Sequence, residues 1–359
     1  MRKRALLTGV AAGATVVLTL LVCLVGEAAL RMVHLLRDGI PFFESAAGGR
    51  VGPITLDPDW GWRATDSYEE QLVEKTSQGH PYIVRRSQKQ FGFRQFGNVE
   101  SAKPKLLVIG DSFTQATAVS DERTYHAILA KALGVEVFAY GAGGYGTLQE
   151  WLVLDRYLDL IQPDALLWQY CVNDFINNDN ELERLSTINN NGWTRPYWQN
   201  GKIEMLSPKE SAVRIREWAN RNSRLAYFIL SRVDRLRARA SKDTVEMEIE
   251  KVGQSHPGFR RSVETTDRLM GLVRQRVGKR PVMAFSCLRF EPYSQAFGDI
   301  SRHHDIEYWD DVGAVVQRAE ADGEDVLASD NHWSERGHAL VAESLLRHIR
   351  ARGGLIASY

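Results

Sequence analysis

The chain has 359 residues, 44% of them hydrophobic and 25% charged, with 45 basic and 45 acidic side chains and a formal net charge of zero. This is the balance of a globular protein larger than one average domain. It gives no basic excess for a nucleic-acid partner, and three cysteines without a CxxC or Cys/His cluster give no zinc framework, so no zinc site is expected.

The chain opens with MRKR and then runs from Ala5 to Val25 without a charge. At about 1.5 Å per residue such a helix spans about 31 Å, the thickness of a bilayer core. The basic start predicts a cytoplasmic N-terminus, a single-pass anchor over residues 1–30 in an inner membrane, and an extracytoplasmic remainder. The apolar run is longer than the core of a cleaved signal peptide. Cys23 does not read as a lipid-attachment site, because Val22 precedes it where a small residue is needed.

Residues 31–103 form a lead-in expected to be irregular or built of short strands, with the aromatic turn-rich stretch LDPDWGWRATDSYEE and a Gly/Phe turn holding Arg94. From residue 104 to about 355 the pattern changes. KLLVIG, VEVFAY, ALLWQYC, PVMAFSC and DIEYW are short apolar runs of the kind found in strands covered on both faces. Helical spacing separates several of them, in DERTYHAILAKALG and TLQEWLVLDRYLDLI, and the amphipathic SERGHALVAESLLRHIRARGG closes the domain. The alternation predicts an α/β fold, a parallel doubly wound sheet in three α/β/α layers of flavodoxin-like topology. Residues 176–258 interrupt it and are read as an insertion that could cover the site, including a charged helical stretch from about Lys209 to Lys242. Cys171 and Cys287 lie in strand-like contexts and are expected to be buried free thiols acting as small hydrophobes, rather than a disulfide.

Sites in such sheets gather at the carboxyl ends of the strands. After the first strand comes GDSFT, after the second GAGGYGT, after the third VND, and near the C-terminus SDNHWSERGH. Acyl transfer needs a nucleophile, a base, a group that orients the base, and donors for the oxyanion. Ser112 at a helix entry is the candidate nucleophile, with Asp111 as the helix cap. His332 is the candidate base, and Asp330, on the same side of an extended segment, would fix its tautomer. The N–H groups of Ser112 and Gly144 and the Asn173 amide are candidate oxyanion donors.

These residues resemble the SGNH, or GDSL, hydrolase superfamily. GDSFT is similar to its first block, with Ser112 as nucleophile, and GAGGYGT to its second, with Gly144 as the oxyanion glycine. CVND resembles the third, carrying Asn173, and DNHW the last, carrying Asp330 and His332. Cys171 replaces the third block's usual glycine. The last block reads Asp-x-His instead of Asp-x-x-His, with Ser329 at the usual Asp position, a spacing that some related polysaccharide acetylesterases and acetyltransferases share. DPDWGWRAT and the GFR turn also look like the preface of membrane-anchored members associated with bacterial polysaccharides. The resemblance implies a serine esterase acting on acylated carbohydrate or another small ester, with acyl transfer, a lipase or thioesterase activity, or a silent export scaffold as alternatives. It implies no cofactor, and the oligomeric state is left open. His338 reads as structural and His303–His304 as solvent-facing. Trp193, Tyr197 and Trp198 either stack on sugar rings or pack the insertion onto the core.

Overall fold

The computed structural model describes residues 2–38, 42–43, 54–190, 192–207, 222–240 and 244–355. The chain divides into two units, Met1–Gly52 with Lys209–Ser241, and Pro53–Pro208 with Lys242–Tyr359.

In the first unit a helix runs from Arg2 to Asp38. Its Gly13–Leu36 stretch, 24 residues with a mean hydropathy of 2.2 over 18 of them, is long and apolar enough to cross a membrane. The helix continues past Val25 because nothing in GEAALRMVHLL breaks it. Glu27 then caps a second helix, Arg224–Ala240, accepting from the backbone N–H of Arg224 (3.1 Å) and Leu225 (2.8 Å) and from Ser223 Oγ (2.8 Å). This corrects the reading of residues 176–258 as one covering insertion, since the charged helix groups with the N-terminal helix. Residues 208–221 of that stretch lie outside the described residues.

The second unit begins with two antiparallel pairs, β1 (Ile54–Asp57) with β2 (Gly61–Ala64) and β3 (Tyr68–Lys75) with β4 (Pro81–Gln88), then a short β5 (Gln95–Phe96). The lead-in from residue 54 is therefore largely strand. There follow β6 (Lys105–Gly110), β7 (Glu136–Gly141), β8 (Ala165–Tyr170), the hairpin β9 (Arg195–Gln199) and β10 (Lys202–Leu206), β11 (Val282–Ser286) and β12 (Glu307–Trp309). The central sheet has the order β12-β11-β8-β6-β7-β5, parallel except for β5. All five strands expected after residue 104 are present, and their order along the sheet is the flavodoxin-like one.

Side chains alternate across the sheet. Leu107, Ile109, Tyr140 and Trp168 share one core with residues of the helices Thr147–Ile161 and Pro257–Val277. Leu106, Val108, Leu167 and Phe285 share the other with residues of Tyr125–Leu133, Asp311–Ala321 and Glu335–Ala351. Both faces are thus buried, as continuous apolar strands require. The connections leave β6 in opposite directions, which opens a crevice at its carboxyl end.

Candidate active site

β6 ends at Gly110, and a single helical turn, Ser112–Gln115, starts two residues later. Asp111 caps that turn, accepting from Phe113 N at 3.0 Å, and Gln169 of β8 accepts from Asp111 N (3.2 Å) and Thr114 Oγ1 (2.8 Å). β7 presses so close that a Cβ on Gly141 would lie 2.4 Å from Asp111 O and Gln115 N, so only glycine fits there. Arg94, from the Gly/Phe turn, is buried and donates to the carbonyls of Gln115 (2.9 Å) and Val119 (2.6 Å), closing the far side of the turn.

His332 comes from a tight loop in which Ala328 N donates to His332 O at 2.7 Å. Asn331 sits at φ 67°, so the segment between Asp330 and His332 is a turn and not the extended stretch expected. Asn tolerates that conformation better than most residues. Trp333 is fully buried, and the Phe113 ring packs 4.7 Å from it and 4.8 Å from the imidazole. The result is that Ser112 Oγ and His332 Nε2 stand 2.7 Å apart across 220 positions of sequence. Asp330 Oδ2 lies 3.1 Å from His332 Nδ1, a charge contact rather than an aligned hydrogen bond, while its Oδ1 accepts from His332 N at 3.2 Å.

Burial disfavours a charged imidazole, but the Asp330 carboxylate outweighs it and holds His332 above its ordinary pKa. Burial likewise pushes Asp330 up, and the contact with His332 more than reverses that, leaving Asp330 lowered.

Gly144 adopts φ 72°, which glycine reaches without strain. Its N–H has no hydrogen-bond partner among the described residues, and Ser112 N, at the first helical position, faces no intrahelical acceptor. The Gly143–Gly144 segment is held through three consecutive peptide units, of which Trp62 binds the one that joins the two glycines. Trp62 Nε1 donates to Gly143 O (3.0 Å), Gly143 N donates to Gln115 Oε1 (2.9 Å), and Arg195 Nη1 donates to Gly144 O (2.9 Å). A trans peptide points its N–H opposite to its C=O, so the Trp62 bond fixes the direction of the Gly144 N–H. Arg195 is held in turn by Glu183 at 3.0 Å, with both side chains buried, and its guanidinium lies over the Trp62 ring at 4.6 Å. The Asn173 amide donates to Tyr145 O (2.9 Å) and Asn177 Oδ1 (3.3 Å), which ties it to the same loop.

Cys171 and Cys287 form a disulfide with a Cα–Cα distance of 5.2 Å, correcting the expectation of free thiols. They follow β8 and β11, whose parallel pairing brings the two chain ends together. His338 accepts from Tyr125 N at 3.1 Å and stacks on the Tyr125 ring, and burial lowers its pKa to about 3, so it is a neutral structural group. His303 is exposed, but His304 is largely buried, contrary to the expectation for the pair, and both contact Asp267 Oδ1, at 2.8 and 2.9 Å. These three are the one set among the described residues whose donor atoms converge as metal ligands could, and none belongs to the Ser112 site. Trp193 packs against Trp62, and Tyr197 is buried with its hydroxyl on Glu183 at 2.9 Å, so two of the three insertion aromatics are core residues.

Trp62, Arg195, Glu183 and Gln115 were not anticipated as parts of the site. Nothing local marks them. The β9–β10 hairpin did have a signal, since Asn200-Gly201 between two apolar-containing stretches is the preferred two-residue turn, and both residues have positive φ.

No family model and no curated protein matches the chain. Among solved structures it is similar to a lipolytic protein of the G-D-S-L family from Veillonella parvula, at 12% identity over 68% of this chain and 96% of that one (TM-score 0.35). It is also similar to an acetyl xylan esterase from the rumen bacterium Butyrivibrio proteoclasticus, at 13% over 71% and 65% (0.36). A third is a lipase/acylhydrolase from Enterococcus faecalis, at 12% over 69% and 96% (0.37).

Proposed function

We propose that this chain is a serine-dependent O-acyl ester hydrolase of the SGNH type, anchored in a membrane by its N-terminal helix and acting on the extracytoplasmic side. The observation that carries the reading is the 2.7 Å contact between Ser112 Oγ and His332 Nε2, with Asp330 on the opposite ring nitrogen. His332 takes the Ser112 proton as the hydroxyl attacks the ester carbonyl, then returns it to the leaving alcohol. Asp330 stabilises the imidazolium formed between those steps. The Ser112 and Gly144 N–H groups meet the negative charge on the carbonyl oxygen, and the Asn173 amide, which donates to Tyr145 O and Asn177 Oδ1 in the resting structure, is the third candidate donor. Water then attacks the acyl-enzyme by the same route.

The Cys171–Cys287 disulfide supports an oxidising compartment, and the apolar helix preceded by Arg2, Lys3 and Arg4 supports the anchor. The substrate we favour is an acetyl ester on a polysaccharide. The test is turnover of p-nitrophenyl acetate by the full chain in detergent micelles, against Ser112→Ala. A loss on the order of 10⁴-fold is expected; equal rates for the two chains would overturn the assignment.

A further inference from the structure

Trp198, the third insertion aromatic, does not join the core. It is half-buried on the wall of a cleft of about 420 Å³, formed with Asn200 and Gly201 at the hairpin turn and with Arg261, Glu264, Thr265 and Arg268 of the helix Pro257–Val277. That volume is within the range of small-ligand sites. The helix contributes its residues at spacings of three, four and seven, so they form one stripe facing the hairpin.

We propose that this cleft binds a pyranose ring of the polysaccharide chain, as a subsite separate from the catalytic one. The argument combines three features. The ring face of Trp198 is an apolar platform with an indole N–H at its edge, and a pyranose offers a matching apolar face of C–H groups with hydroxyls around its rim. The polar groups around the platform are available. Arg268, whose guanidinium lies over one face of the Trp198 ring at 6.0 Å from its centroid and would have to swing to the rim for a sugar to stack on that face, and Glu264 have no ion-pair or hydrogen-bond partner among the described residues. Arg261 is already paired with Asp179 (2.9 Å) and Glu181 (2.5 Å), which leaves Arg268 and Glu264 as the unpaired charges of the cleft. The collar also mixes charges of both signs, which suits hydroxyl-bearing ligands and disfavours an acyl chain or a lipid tail. Finally, Trp198 and Arg195 are three residues apart on β9, about 10 Å along the strand. Arg195 and Tyr197 face the buried brace of the glycine loop, and Trp198 projects from the other face of the strand. A chain seated in the cleft would therefore lie against the same hairpin that supports the reaction site.

This inference rests on the carbohydrate part of the proposed function and not on the triad. The test titrates the full-length Ser112→Ala chain in detergent micelles with mannohexaose, xylohexaose and an oligouronate, read by calorimetry. Saturable binding of at least one is expected. Trp198→Ala in that background should weaken it by at least about tenfold, and Trp198→Phe should retain most of it. Arg268→Ala should weaken the oligouronate more than the neutral glycans if the ring carries a carboxylate. Trp198→Ala in the chain with Ser112 intact should leave p-nitrophenyl acetate turnover and the melting temperature unchanged, while KM for an acetylated polymer rises. No saturable binding to any of the three glycans, or binding indifferent to Trp198→Ala, overturns the subsite. Failure of p-nitrophenyl acetate turnover bears on the esterase reading alone.

Discussion

His332 has two contacts that make opposite demands on its protonation state. In the proposed reaction Ser112 needs it neutral at the start, and Asp330 stabilises it once charged. Because Asp330 raises the His332 pKa above 6.5 against the effect of burial, kcat/KM should fall as pH drops through that raised value, since protonated imidazole cannot accept the Ser112 proton. Asp330→Asn removes the charge. The acid limb of the pH–rate profile should then move to lower pH, and the plateau should drop by about 10²–10⁴-fold. An acid limb that stays in place would remove Asp330 from the role of orienting group. The sequence showed these residues because each follows a strand end or a loop with a suitable neighbour. It gave the wrong local geometry for Asp330, since the left-handed Asn331 makes a turn where alternation suggested a strand.

Elements bring supports that individual residues do not announce. β2 lies in the lead-in, yet its Trp62 fixes the peptide plane from which the Gly144 N–H projects. One hydrogen bond of that kind contributes about 1 kcal/mol. Trp62→Phe keeps an aromatic ring, smaller than the indole, and deletes the donor, so kcat on p-nitrophenyl acetate should fall about five- to tenfold with KM unchanged. A change confined to KM would show that the bond serves binding and not the oxyanion. β3 was not legible, because its half-buried face holds Glu70 and Glu74 beside Tyr68 and Leu72 while Val73 is exposed, so its alternation in burial is not written as apolar and polar residues. The lead-in strands β1 and β2 were not legible either, since four residues each, joined through a turn containing Asp57 and Pro58, carry too little periodicity to separate from loop. The insertion was the other obscure region. Its length was clear, but its composition does not say that one part packs on the sheet domain and another groups with the N-terminal helix.

For the whole molecule, the disulfide is the longest-range covalent restraint, closing a separation of 116 residues between the ends of β8 and β11. Loops of that length carry a closure term of about 4–5 kcal/mol in the chain-entropy account, and removal of native disulfides commonly costs 2–5 kcal/mol. Cys171→Ser with Cys287→Ser should lower the urea midpoint accordingly, and the parent chain in reductant should behave like the double variant. Thiol titration of the denatured, unreduced chain should find Cys23 alone; three reactive thiols would disprove the bond. The sequence by itself determined the layer order and which candidate reacting groups stand at the strand ends. Strands buried on both faces must be continuous apolar runs, helices between them must be amphipathic, and a nucleophile at a helix entry needs glycine and a capping residue beside it. All of these are local requirements, written in consecutive residues. Only the tertiary structure decided that Cys171 meets Cys287, that Trp62 and Arg195 hold the carbonyls of the neighbouring Gly143 and Gly144, and that Trp198 faces a cleft while Trp193 and Tyr197 face the core. Those outcomes depend on which distant segments the sheet brings together, and no spacing along the chain encodes that encounter.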